Sequence, residues 1–166
     1  MSRTWYSAAM SVPLIGQGYR GVEGHSSYLL RQAWQALSGA MEVALRPHGL
    51  TGAQYGVLSV LRHHPGASGA DLARACNTTP QAMNGVLATL ERESLIERQQ
   101  HPTHGRILQA TMTDEGRRRL EAADPAIRGL RRAIERDFTP EDIATVKAWL
   151  VGAAQRLERI TQSRAA

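Results

Sequence analysis

A single cysteine, Cys76, stands among the 166 residues, so no disulfide can close within the chain and no multi-cysteine metal site is available. One lysine (Lys147) accompanies 19 arginines, and aromatics make up only 5%. No run approaches the roughly 18 apolar residues that a membrane span needs. Arg3 is followed by a stretch in which Ser7, Ser11 and Pro13 interrupt any apolar core, so no secretory signal is expected. There is no P-loop, no glycine fingerprint for a dinucleotide, no nucleophile motif and no pair of carboxylates in a cleft-forming context. An enzyme is therefore not expected, and neither is a cofactor. What remains is one domain of moderate size with a real core, since hydrophobic residues reach 42%. A cytoplasmic location is expected.

The net charge is +5, which permits an anionic partner without establishing one. Its distribution is uneven. Residues 1–65 hold five arginines and two acids, 66–106 hold four and four, and 107–166 hold eleven basic residues and nine acids. The middle segment is neutral.

Punctuation divides the chain. Residues 1–25 carry Gly16, Gly18, Gly21, Gly24 and Pro13 without helical period, and read as an irregular arm. Trp5, Tyr6, Leu14, Ile15 and Tyr19 suit it to docking on a partner subunit, and a loose tail is an equal reading. From Ser26 a helix carries two apolar stripes: Leu30, Trp34, Leu37, Met41 and Leu45, then Leu29, Ala33, Ala36, Ala40 and Val43. Two apolar faces predict burial on two sides, one of them against another chain. Thr51 and Gln54 have capping-box spacing for the next helix. Ser68, with Asp71 in the first turn, opens a short third helix. Thr79-Pro80 opens a fourth. Two strand-like runs, Leu95–Gln100 and Ile107–Met112, flank a turn-rich loop and predict a β-hairpin. A fifth helix from Thr113 contains Pro125, which predicts a kink or a division. A sixth, from Thr139-Pro140, carries the seam Ile143, Val146, Leu150, Ala153, Leu157 and Ile160, suited to packing along another helix.

Helix, tight turn, helix and hairpin is the order of a winged helix-turn-helix. Ala73 is small where the two helices approach, and Asn77 tolerates the left-handed backbone that the turn requires. The second helix of such a unit enters the major groove. Residues 77–90 contain no charge and present Thr78, Thr79, Gln81, Asn84 and Thr89 between core positions. Gln and Asn side chains bond adenine bidentately, and Thr touches phosphate or a thymine methyl. His63-His64 and His101-x-x-His104 lack the cysteines or carboxylates of a metal site, so no metal is expected. Cys76 reads as a small buried hydrophobe.

The stretches LTGAQYGVLSVL (50–61), SGADLARACNTTPQAMNGVLATLERESLIER (68–98) and HPTHGRILQATMTDEG (101–116) resemble the MarR family of transcriptional regulators. The resemblance runs from about residue 26 to 160. It implies a mainly α fold with a small β-hairpin wing, in which residues 26–50 and 113–162 form a helical dimerisation region and 51–112 form the winged helix-turn-helix. It implies a homodimer on a pseudo-palindromic DNA operator, with Ser68, Thr78, Thr79, Gln81, Asn84, Arg98, His101, His104 and Arg106 at the DNA. It also implies a repressor relieved by a small, often aromatic ligand, held between the first, second and fifth helices near Tyr28, Gln54 and Tyr55. Trp34 also reaches that region and reads rather as core. Two departures stand out. Where many members have Asp-x-Arg in the wing, this chain has His104, Gly105 and Arg106, so the arginine lacks a carboxylate to orient it. Ser94 occupies a helix-ending position that is commonly glycine. The neutral middle segment keeps a second reading open: a winged-helix dimerisation or scaffold module that does not read DNA.

Overall fold

The computed structural model describes residues 12–100 and 108–165. Among them run α1 (Ser26–Leu45), α2 (Gly52–His63), β1 (Ala67–Ser68), α3 (Gly69–Ala75), α4 (Pro80–Arg92), β2 (Ile96–Gln100), β3 (Leu108–Met112), α5 (Asp114–Glu135) and α6 (Pro140–Ala165). All helices after the first begin on a hydroxyl. The Thr51 and Ser68 hydroxyls accept from the Gln54 and Asp71 amides, and both capping boxes close reciprocally. Thr79 caps α4 ahead of Pro80, Thr113 caps α5, and Thr139 with Asp142 opens α6.

The apolar stripes of the helices converge on one core. Leu45 and Leu50 meet Val57, Leu58 and Leu61 of α2, Leu72 and Ala73 of α3, and Met83, Leu87 and Leu90 of α4. Leu95, Ile96 and Ala110 close it from the sheet side, and Leu120 and Ala123 of α5 close it from above. The sheet is antiparallel with order β1-β3-β2, and Ala110 faces both Ala67 and Arg98 across the strands. Thr113 fixes α5 to the end of α4, donating its hydroxyl to the Ser94 carbonyl at 2.7 Å and its amide to the Leu95 carbonyl at 3.1 Å.

Three sequence expectations are corrected, and that of a kink or a division at Pro125 loses its second half. The expected two-stranded hairpin is a three-stranded sheet, because Ala67 and Ser68 pair with β3 just before the α3 cap; two residues are too short to show a period. Pro125 does not divide α5, which runs unbroken from Asp114 to Glu135. Pro125 is exposed, so the carbonyl it leaves without a donor lies on the wet side. Trp34 is not core but 64% exposed, and Leu45 is the one fully buried residue of α1. The arm is not irregular throughout: Gly18–Arg20 form a 3₁₀ turn, and Arg20 ties it to α1.

Candidate nucleic-acid interface

The turn between α3 and α4 is built as the sequence requires. Asn77 takes φ +49°, and the Thr78 amide donates back to the Ala73 carbonyl at 2.9 Å. This swings α4 across α3, with Met83 and Leu87 buried beneath it. Thr78, Thr79, Gln81 and Asn84 are then all exposed on one side of the head. Ala82, Gly85 and Ala88 are exposed on the same helix, and these small residues, not singled out from sequence, leave room for close approach of a large ligand. Two of the polar groups are already engaged. The Thr79 hydroxyl accepts from the Ala82 amide at 3.2 Å. Thr89, half-buried, donates to the Gly85 carbonyl of its own helix at 3.1 Å and so offers nothing outward.

A cleft of about 330 Å³ lies between the start of α3, α4 and the sheet, and it brings Ser68, Asn84 and Arg98 together beside Leu87, Leu108 and Ala110. The Ser68 hydroxyl is occupied by Asp71, to which it donates at 2.6 Å. That bond, and the Ser68 amide, hold the Asp71 carboxyl below the usual carboxylate range. Arg74 pairs with the same carboxylate. Arg98 is bound to Glu91, donating from Nε at 2.9 Å and from a second nitrogen, and this contact holds the Glu91 carboxyl low. Arg74 and Arg98 are therefore paired within the chain, whereas Arg92, at the end of α4, is exposed and makes none of the described ion pairs. His101, His104 and Arg106 lie outside the described residues.

The three expected ligand-site residues each have their own partners in the fold. Tyr28 lies at the start of α1, edge-on to Tyr19 with centroids 5.6 Å apart and with the Arg31 guanidinium 5.5 Å from its ring centre. Gln54 is 5% exposed and fully used. Its Oε1 accepts from the Thr51 amide at 2.9 Å, and its Nε2 donates to Glu93 at the end of α4 at 3.2 Å. Tyr55 donates its hydroxyl to Asp124 of α5 at 3.0 Å, and Arg62 donates two bonds to the same carboxylate at 2.6 and 3.1 Å. The Arg62 bonds, joined by Tyr55 and Arg128, hold the Asp124 carboxyl below its ordinary range. Burial, then the carboxylate beside it, pushes the Tyr55 phenol up. On the α1 side, Glu42 accepts from the Gly52 amide at 2.9 Å. The start of α2 is thus tied at once to α1, to the end of α4 and to α5. Burial also pushes the Cys76 thiol up, away from thiolate reactivity. Among the described residues no cluster of His, Cys, Asp or Glu is placed to hold a metal ion, and no helix is long and apolar enough to cross a membrane.

A sequence model of the MarR family matches residues 48–107. The HTH-type transcriptional repressor Rv2887 of Mycobacterium tuberculosis is 40% identical over 101 residues, covering 61% of this chain and 73% of the relative. Its crystal structure in complex with salicylic acid superposes with a TM-score of 0.60, covering 78% of this chain and 96% of that one at 33% identity. The homoprotocatechuate degradative operon repressor of Escherichia coli is 32% identical over 113 residues, 68% of this chain and 76% of the relative. A cysteine-to-serine mutant of MarR from E. coli, complexed with operator DNA, shares the fold at a TM-score of 0.72 and 20% identity, covering 76% of this chain and 91% of that chain. With its helix-turn-helix and most of two repressors' lengths matched, the chain belongs to the MarR family of transcriptional regulators.

Proposed function

We propose that the chain is a homodimeric repressor that inserts α4 into successive major grooves of a pseudo-palindromic operator and lets go when a small aromatic ligand binds. The observation that carries this reading is the exposed, uncharged first three turns of α4, up to Leu90, with Gln81 and Asn84 free to meet base edges. Thr78 and Thr79, at the start of α4, are assigned to the phosphates that flank the groove, and Ser68 at the start of α3 to another. Arg98 joins them by exchanging Glu91 for phosphate. Arg106 is assigned to the minor groove, and His101 and His104 to phosphate when protonated. Half-sites are expected about 10 bp apart.

Residues 26–50 and 113–162 are assigned to dimerisation. Support comes from α6, which packs on no other element of its own chain to any extent among the described residues. Its Val146, Trp149, Leu150, Leu157 and Ile160 are 40–58% exposed. A free helix of that length with an apolar seam is stable only against a partner. The ligand class is supported by the salicylic acid bound to Rv2887 and by the aromatic compound in the name of the E. coli repressor. Gln54 and Tyr55 are the residues placed to respond, because each joins α2 to an element that moves with the head or the dimer. Tyr28 is assigned to the mouth of that region under the arm.

Fluorescence anisotropy on inverted repeats from DNA beside the gene tests the reading. The wild-type chain is expected to bind one repeat specifically, and salicylate to release it. Replacing Gln81, Asn84 and Arg106 together by Ala is expected to abolish binding while the chain stays folded and dimeric. If the triple variant loses nothing measurable, the scaffold reading replaces this one.

A further inference from the structure

Three consecutive charges close α4: Glu91, Arg92 and Glu93. The two acids are committed inside the chain. Glu91 accepts from Arg98 of β2 at 2.9 Å, and Glu93 accepts from Gln54 of α2 at 3.2 Å. Arg92 between them is exposed and makes none of the described ion pairs or side-chain hydrogen bonds. Its neighbours' carboxylates are spent elsewhere, so its charge is left to the outside.

Arg92 lies on the outermost ridge of α4. At 100° per residue, Gln81, Gly85, Ala88 and Arg92 fall within a sector of about 60°. All four are exposed, and the buried Met83, Leu87 and Leu90 lie on the opposite side. Among the described residues, a Cβ added to Gly85 would meet nothing within 4 Å. The helix therefore bears the entropy of an interior glycine without a contact of its own chain that requires one, as where a large ligand approaches the backbone. The ridge runs from a side chain suited to base edges, past two small residues, to a cation.

Length decides what that cation can meet. Eleven residues, about 16 Å along the axis, separate Gln81 from Arg92, whereas the major groove is about 12 Å wide. A helix of this kind reads bases from its N-terminal turns. With Gln81 on a base edge, Arg92 lies beyond the bases and beside the sugar–phosphate backbone. We propose that Arg92 binds a phosphate on the bank of the groove that Gln81 and Asn84 read. Its guanidinium presents a fork of donors that fits two phosphate oxygens. The proposal rests on α4 entering the groove, and it adds a fixed point at the end of α4 opposite Thr79. A cation in the last turn also suits the helix dipole. That role acts on stability and not on ion release, so the salt slope separates the two.

Anisotropy titrations over a salt series, on an operator repeat and on unrelated DNA, test the proposal. Arg92→Gln is expected to weaken binding to both DNAs by at least about fivefold and to make the dimer's logarithmic salt slope shallower by about two units, nearly one for each head. Arg92→Lys is expected to keep most of the slope. Arg74→Gln removes the same charge from the same head, but one already paired with Asp71, and is expected to shift the slope by less than about half as much. An unchanged slope in Arg92→Gln, an equal shift in Arg74→Gln, or a loss confined to the operator overturns the proposal. The Gln81→Ala, Asn84→Ala pair is measured beside them. If that pair loses operator binding and Arg92→Gln changes nothing, only the phosphate contact falls. If the pair changes nothing and Arg92→Gln weakens binding to both DNAs with the shallower slope, base reading falls and the contact stands. A wild-type chain that binds neither DNA removes both.

Discussion

Asn77 and Ser94 are the two described residues other than glycine that take positive φ, at +49° and +57°. One ends α3 and sets the crossing of α4; the other ends the turn after α4. A left-handed backbone costs a residue with a Cβ about 1–2 kcal/mol, less for Asn. Ser94→Gly is therefore expected to stabilise the chain by roughly 0.5 kcal/mol, after the larger unfolded-state entropy of glycine is subtracted. Asn77→Ala is expected to cost about 1 kcal/mol. Urea titration reads both, and a destabilised Ser94→Gly would show that the serine hydroxyl serves the turn. Gly116 has a different reason to be glycine: a Cβ there would stand 2.1 Å from the Leu95 carbonyl oxygen. Gly116→Ala is expected to cost more than about 2 kcal/mol, because backbone, not a flexible side chain, must give way.

Elements were legible where a local signal defines them. The caps Thr51, Ser68, Thr79 and Thr113 are read within three residues of themselves, and the structure bears out all four. The Gln54 capping role was legible for the same reason. Its second bond, to Glu93, was not, because it spans 39 residues. Asp124 had no legible role either, because Tyr55 and Arg62 reach it across 69 and 62 residues. Such pairings depend on how α2 lies on α5, which no local spacing encodes. β1 escaped because Ala67–Ser68 has no period to read. The candidate DNA residues were legible as a polar, uncharged helix face, but not the self-pairing of Arg98 with Glu91.

The Asp124 junction gives the element-scale prediction. Its folded carboxyl titrates below the ordinary value of about 4, chiefly through Arg62. The stabilisation is therefore complete above that ordinary value and is lost as pH falls through the lower, folded one. Asp124→Asn is expected to cost about 1–3 kcal/mol at pH 7, since Arg62 and Tyr55 lose a charged acceptor. Urea titrations should show the gap between wild type and variant closing below pH 4. A gap that does not narrow at all as the pH falls below 4 would place the stabilisation elsewhere. Tyr55→Phe, which leaves the Arg62 pair in place, is expected to cost about 1 kcal/mol.

At the scale of the whole molecule, charge and fold point in different directions, and the fold is the better guide. The net charge of +5 lies outside residues 66–106, and of the described arginines in that segment Arg74 and Arg98 are held by Asp71 and Glu91, which leaves Arg92 at the end of α4. Phosphate attraction then depends on few arginines. The logarithmic dependence of DNA affinity on salt is expected to have a slope no steeper than about −6 for the dimer. A much steeper slope would mean that the α5 arginines, Arg117–Arg119 among them, face the duplex. Dimerisation and DNA reading are linked in the same way, since a single head has half the contacts.

The central claim is that Gln81 and Asn84, on the uncharged first three turns of α4, read base edges in a dimer. It is tested most directly by anisotropy of a labelled operator repeat, titrated with wild type and with the Gln81→Ala, Asn84→Ala pair at fixed salt. The account predicts that the variant binds the repeat at least about 100-fold more weakly while its affinity for unrelated DNA is unchanged. Equal loss on both DNAs, or no loss on either, would contradict it.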